Sequence, residues 1–232
     1  MSKHTLNFGS ETITYELDRR DRKSLGITVH PDRSVVVTAP LLASKEKIEA
    51  KLRKRAPWIL KQQSYFLSFE PRTPPRRYVG GETHLYLGKQ YRLRFVESDA
   101  ETVKLMRGYF EIHTQDRTRA ETFLWQWYRE RAQNRFPTYA APFIDRFRTH
   151  GVEPTDLIIQ RMDKRWGSCT PRGKIILNTE LIKAPPGCIE YVIVHELCHL
   201  VHHNHSRAFF DLQERMFPDW MKWKGALERI LV

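Results

Sequence analysis

The sequence predicts an α+β protein. A β-rich N-terminal part, residues 1–116 with one basic helix, is followed by a helix-rich part, residues 117–232, containing a small sheet. Three observations lead there. The first half alternates apolar and polar residues with a period of two between turn signals. From Arg117 this gives way to long helical patterns without glycine. Finally, the apolar run IEYVIV leads directly into HELCH, Ile189 to His199, as one core-bound helix.

The elements follow in order. TITYELDR alternates, LGITVH and SVVVTAP are rich in β-branched residues, and HPDRS between the last two is a turn by its Pro and Asp. Ser44 is the expected N-cap of KEKIEAKLRKRA, where Ile48 and Leu52 stand one turn apart among charges. Pro57 is expected to kink or restart that helix before WILKQQSYF. EPRTPPRRY, residues 70–78, is the most linker-like segment. THLYLGKQYRLRFVE and TVKLMRGYFEIHT read as hairpins turning at Leu87-Gly88-Lys89 and at Arg107-Gly108. In the second half, Pro137 and Pro142 are expected to divide or bend the helix that starts near Arg117. DLIIQRM and GKIILN are short strands flanking the loop DKRWGSCTPR, and two or three helices complete the chain. No internal repeat is visible.

Composition narrows the function classes. A 41% hydrophobic content in 232 residues argues for a folded globular protein. No apolar stretch approaches the ~20 residues that span a bilayer, so no membrane partner is expected. MSKHTLNFGSETIT lacks the apolar core of a secretory signal, and three cysteines are too few and too odd for a disulfide framework. A cytoplasmic setting is expected. The net charge of +12 is spread over both halves. It would attract non-specific nucleic acid or nucleotides, most of all along KEKIEAKLRKR, residues 45–55; the plainer reading is a solvated face.

HELCH carries the chemistry. His195 and His199 are four residues apart, which on a helix puts both imidazoles on one face, able to share a cation. Glu196 projects about 100° round from His195, so it need not be a ligand. It can act instead as the base that takes a proton from a water on the metal. A catalytic zinc needs a third protein ligand and an open position. His205, ten residues after His195, is favoured by spacing over Glu214 or Glu228. For His205 to return, the helix must end near His202–Asn204, and Asn204 tolerates a left-handed turn. His202 and His203 read as solvated helix-end residues, His202 with a further option of substrate contact. Cys198 is expected in the core, and Cys169 in the core or beside the cleft.

RWGSCTPRGKIILN is the second feature. Trp166-Gly167 makes a tight corner with a bulky anchor, and Ile175–Leu177 is a short strand ending at Asn178. Substrate binding is expected around Arg165, Trp166 and Asn178. Arg165 and Lys164 would meet substrate anions or face water, and Trp166 would fill the core beneath the loop.

These segments, with LDRRDRKSLGITVHPDRSVVVTAP, APWILKQQ and YLGKQYRLRF, resemble the YgjP-like family of metal-dependent hydrolases from about Leu17 to Leu227. The resemblance implies a minimal zincin domain related to SprT and WLM peptidases, preceded by a β-rich segment. It implies one zinc held by His195, His199 and His205, with Glu196 as catalytic base. Zincin-type peptidases hold an extended substrate along an edge strand, and the metzincin pattern has glycine where this chain has His202. The expected function is a zinc metallopeptidase acting on peptide or protein. Hydrolysis of nucleoside triphosphates or their pyrophosphate bonds at the same site is the rival, although no Gly-rich phosphate loop and no acidic magnesium cluster accompany it. A nucleic-acid-associated protein with a structural metal is the reading from another class.

Overall fold

The computed structural model describes residues 2–9, 11–30, 32–67, 76–163 and 165–230. Most of the proline-rich stretch 70–78, and Lys164, lie outside the described residues. The chain divides into two compact units, Met1–Pro74 and Pro75–Leu231, each with its own core. The passage from strand to helix near residue 117 falls within the second of these.

The first unit is four strands and a helix. β1 (Ser2–Phe8) pairs with β2 (Glu11–Arg20), and β3 (Gly26–Val29) with β4 (Val35–Pro40), both antiparallel. β2 and β4 then join in parallel, giving the order β1-β2-β4-β3. The sequence pattern does not announce β1. α1 (Lys45–Leu67) starts where the Lys47 N–H donates to Ser44 Oγ at 3.4 Å. It runs through Pro57 as one element rather than restarting. Proline removes one N–H and crowds one carbonyl. Against that stands the burial of Ile48, Leu52, Ala56 and Ile59 on Ile13, Val35 and Val37, each large side chain contributing on the order of 1.5–3 kcal/mol.

The second unit opens in the same way. β5 (Thr83–Tyr86) pairs with β6 (Lys89–Val96), and β7 (Thr102–Met106) with β8 (Tyr109–His113), antiparallel in both cases. β6 and β8 join in parallel, giving β5-β6-β8-β7. Both hairpins turn on two residues of positive φ, Leu87-Gly88 (48° and 78°) and Arg107-Gly108 (48° and 86°), the geometry that matches strand twist. α2 (Ala120–Arg148) comes next as one helix through both prolines, with Leu124, Tyr128, Ala132 and Phe136 buried. Strand order, pairing sense and the succeeding helix are therefore the same in the two units. The residue pattern carries no hint of that repetition.

The further elements of the second unit position the site. The N–H groups of Leu87 and Gly88 donate to the carbonyls of Ile182 (2.9 Å) and Lys183 (3.0 Å), fixing the first hairpin to the short 3-10 turn Thr179–Lys183. β9 (Asp156–Gln160), β10 (Gly167–Cys169) and β11 (Lys174–Asn178) form a third sheet in the order β10-β11-β9. β11 is thus the central strand. The edges are β9 and β10, and β10 lies within the stretch expected to be loop. Three helices complete the chain, α3 (Pro186–Val201), α4 (Arg207–Met216) and α5 (Trp220–Ile230). α3 packs against α2, α4, α5 and β10.

Candidate metal centre and cleft

α3 is buried along most of its length because Ile189, Val192, Ile193, Val194 and Leu197 cover more than one face. The core therefore fixes the helix's rotation. His195 and His199 lie one turn apart with ring centroids 5.1 Å apart. The helix ends at Val201, and His202 turns extended at φ −129°, ψ 106°. Asn204 does not take the left-handed conformation; among the described residues only Arg33, Tyr78, Leu87 and Arg107 do so without being glycine. Instead the Ser206 N–H donates to Asn204 O (2.9 Å) in a three-residue turn centred on His205, and Ser206 Oγ caps α4 by accepting from the Phe209 N–H (3.4 Å).

This brings His205 back to the helix. One ring nitrogen from each of His195, His199 and His205 lies within 4.8 Å of the others. The Nε2 atoms of His195 and His205 are 3.0 Å apart. Phe209 packs its ring against all three imidazoles, at 4.7–5.0 Å between centroids. The rival carboxylates have other partners: Glu214 accepts from Trp220 Nε1 (2.6 Å), and Glu228 pairs with Lys224 (2.8 Å).

Hydrogen bonds orient two of the three rings. Gln213 Oε1 accepts from His195 Nδ1 (2.9 Å), and the His202 carbonyl accepts from His199 Nδ1 (3.2 Å). Each bond puts the proton on Nδ1 and leaves the Nε2 lone pair free, the arrangement that metal-binding histidines use. Burial holds His195 down at about 4, with the neighbouring imidazoles of His199 and His205 adding to the effect against the Gln213 bond. His199 is lowered too, first by burial. Both rings stay neutral near pH 7. Two nitrogens on a tetrahedral zinc at ~2.0–2.1 Å stand about 3.3 Å apart. The three-histidine cluster offers such an ion three imidazole donors, with one pair of nitrogens at 3.0 Å and all three within 4.8 Å.

Glu196 is buried, with 6% of its surface exposed. Burial pushes its carboxyl up to about 7, opposed by a hydrogen bond from the Cys169 N–H and by the Arg165 guanidinium. The contact with β10 is close. A Cβ on Gly167 would stand 2.6 Å from Glu196 Oε1 and 2.8 Å from Val192 Cγ1, so only glycine lets the edge strand lie on this helix. Between them opens a cleft of about 600 Å³, lined by Arg165, residues 167–171, Glu196 and the histidines 195, 199, 203 and 205.

The remaining sequence candidates are distributed differently. Arg165 sits on the exposed rim, its Nη1 3.4 Å from Ser168 Oγ. Trp166 packs on the core beneath the loop and does not line the cleft. Asn178 is buried and fully engaged: its Nδ2 donates to the carbonyls of Met162 (2.7 Å) and Arg165 (2.9 Å), and its Oδ1 accepts from the Glu180 N–H (3.1 Å). It holds the loop that carries Arg165. His202 contributes its carbonyl to His199, whereas His203 lines the cleft. Cys198 is fully buried and its thiol is pushed up to about 12 by burial, while Cys169 faces the cleft. Gln213 escapes sequence reasoning. Its signal is a lone amide on the apolar stripe Phe209, Leu212, Met216 of α4, where a buried polar group needs a partner.

Three convergent imidazoles beside a buried carboxyl are the kind of donor set that metal-dependent hydrolases use. A family profile described as the YgjP-like metallopeptidase domain matches residues 23–230, and the chain belongs to that family. It is thereby a metal-dependent peptidase in the general sense. No curated protein and no solved structure matches the chain. No helix among the described residues is long and apolar enough to cross a membrane.

Proposed function

We propose that the protein is a zinc metallopeptidase in which His195, His199 and His205 hold one ion and Glu196 is the general base. The observation that carries this reading is the convergence of three imidazole nitrogens within 4.8 Å of one another, with His195 and His199 held through Nδ1. When bound, zinc would polarise the scissile carbonyl and acidify an attacking water to a pKa of about 7. Glu196, with an affinity for protons matched to neutral pH, takes the water's proton and delivers it to the leaving amine. The Cys169 N–H keeps the carboxyl oriented toward the cleft. An extended peptide pairs with the free edge of β10, where main-chain bonds supply affinity without demanding a particular sequence. Arg165 on the rim meets substrate carbonyls or acidic side chains.

A non-specific polyanion partner belongs to the same proposal. Lys47, Lys51, Arg53, Lys54 and Arg55 of α1 all stand exposed, a field that would gather nucleic acid.

Metal analysis and a peptide library test the reading together. The protein should carry one zinc, lose it in His205→Ala, and keep it in Glu214→Ala and Glu228→Ala. Zinc-loaded protein should cut peptides and leave nucleoside triphosphates intact. Zinc lost only from a glutamate variant would remove His205 from the ligand set. Pyrophosphate release from triphosphates without any peptide cleavage would overturn the peptidase.

A further inference from the structure

A second cavity, about 490 Å³, opens on the α5 side of the three histidines. It shares His195 and His205 with the cleft, and its other walls are different. Three aromatic rings run from the proposed ligand His205 round to His195, whose ring centroid lies 5.9 Å from that of Tyr191. Phe210 stacks on His205 (6.0 Å, 27°), Trp220 on Phe210 (5.7 Å, 22°), and Tyr191 on Trp220 (6.4 Å, 17°). The remaining wall is one face of α5, where Met221, Lys224, Gly225 and Glu228 recur at helical spacing.

Two features of that wall say what it takes. Lys224 Nζ and Glu228 Oε1 are 2.8 Å apart, so the only ionic groups of α5 in the lining neutralise each other. Gly225 leaves a gap: a Cβ there would meet only Arg229 Nη1, at 3.5 Å, and otherwise open space. The cavity exists partly because α5 has no side chain at that point, where glycine also weakens the helix. The result is an aromatic-walled pocket whose two α5 charges are paired with each other, lined by two of the three histidines that would hold the metal.

We propose that this pocket receives a large uncharged side chain, aromatic or long aliphatic, from the residue flanking the scissile bond. The inference rests on the peptidase reading of the cleft. Continuity carries it: successive Cα atoms are about 3.8 Å apart, so a peptide with its carbonyl at the histidines has its neighbouring side chain at the pocket's mouth. Charge agrees, because a lysine would face Lys224 and a glutamate Glu228, each already paired. β10 would then hold the backbone while this pocket selects the residue.

Gly225→Leu is the test, because it fills the gap while favouring the helix. Zinc-loaded parent and variant are compared on peptides carrying Phe, Leu, Ala, Lys or Glu on either side of the cut. The parent should prefer Phe or Leu at one of those positions. Gly225→Leu should lower kcat/KM for the Phe peptide by about tenfold or more and leave the Ala peptide within about twofold. Met221→Lys, at a residue 68% exposed, should shift the preference from Phe toward Glu without touching the fold. No preference at either position, or equal losses on Phe and Ala peptides, would overturn the pocket and leave the peptidase standing. Should no peptide be cut at all, binding to zinc-loaded Glu196→Gln decides, with acetyl-Gly-Phe-Gly-amide, its Lys counterpart and AMP as probes. Phe-peptide binding that Gly225→Leu abolishes would keep the pocket and remove the peptidase. AMP binding alone, or no binding, would overturn the pocket.

Discussion

The two four-stranded layers make an informative pair. β1–β4 with α1 and β5–β8 with α2 have the same strand order, the same parallel central pairing and the same succeeding helix. They differ in what the helix supports. α1 buries one narrow stripe and leaves its basic residues in water. α2 buries residues such as Phe123, Leu124, Trp127 and Tyr128 on neighbouring faces, because α3 and the 3-10 turn at Thr179 pack on it as well. All candidate chemistry stands on the elements C-terminal to α2. A shared layer therefore says nothing about activity, which comes from the elements built upon it.

The largest expected effect lies at the buried carboxyl, where the second layer's additions depart furthest from the solvated α1. Glu196→Gln should keep its zinc and lose turnover by a factor of about a thousand or more, since the amide cannot accept a proton. The metal-free protein offers a second readout. The folded-state value of Glu196, about 7, lies above its ordinary 4.5, so the parent loses stability as pH rises from 4.5 through 7. Metal-free Glu196→Gln should be more stable than the parent at pH 8, by about 3 kcal/mol, with the gap closing near pH 4.5. Thermal melts across that range measure it; a constant gap would deny the shift.

Next comes a matched pair of core truncations. Leu52 of α1 and Leu124 of α2 are both fully buried, so Leu52→Ala and Leu124→Ala should each cost about 2–5 kcal/mol. Only the second should weaken zinc retention under mild denaturant, because the residues that line the cleft belong to Pro75–Leu231. Equal zinc loss from both would break the contrast. A smaller effect is expected at Gln213→Leu, which removes the acceptor of His195 Nδ1–H and should reduce zinc affinity by about 10–100-fold in a chelator competition. The smallest effect on stability belongs to the face of α1. Changing Lys51, Arg53, Lys54 and Arg55 together to Gln should move stability by no more than about 0.5 kcal/mol per site. It should still lower binding of duplex or single-stranded DNA and flatten its salt dependence. Unchanged binding at two salt concentrations would return these charges to plain solvation.

The features legible in the sequence are local. His195 and His199 share a helix, so their spacing fixes their relation whatever the rest of the fold does. Leu87-Gly88 and Arg107-Gly108 announce hairpins because a tight two-residue turn requires left-handed backbone. The hidden features depend on distant partners. β10 has only three residues and becomes a strand because β11 pairs with it and Gly167 lets it rest on α3. The parallel pairings β2–β4 and β6–β8 join strands from separate hairpins, which a period-two pattern cannot announce. Pro57, Pro137 and Pro142 carry a local penalty, and burial along both helices outweighs it. Asn178 reads as a substrate contact from its place at a strand end; its actual hydrogen bonding depends on a loop sixteen residues earlier.

The link between α3 and α4 turns metal occupancy into something a protease can read. His203, Asn204, His205 and Ser206 are exposed, and beyond the bonds that tie His202 back to α3 this short crossing is held by the turn bond at Ser206, the cap of α4 and whatever His205 grasps. With zinc bound as proposed, His205 would moor the crossing to a helix that is itself locked in the core. Chelation would slip that mooring and leave α3 where it was. Chelated protein should therefore be nicked between Val201 and Arg207 within a digestion that spares the zinc-loaded form, yielding two fragments from one cut.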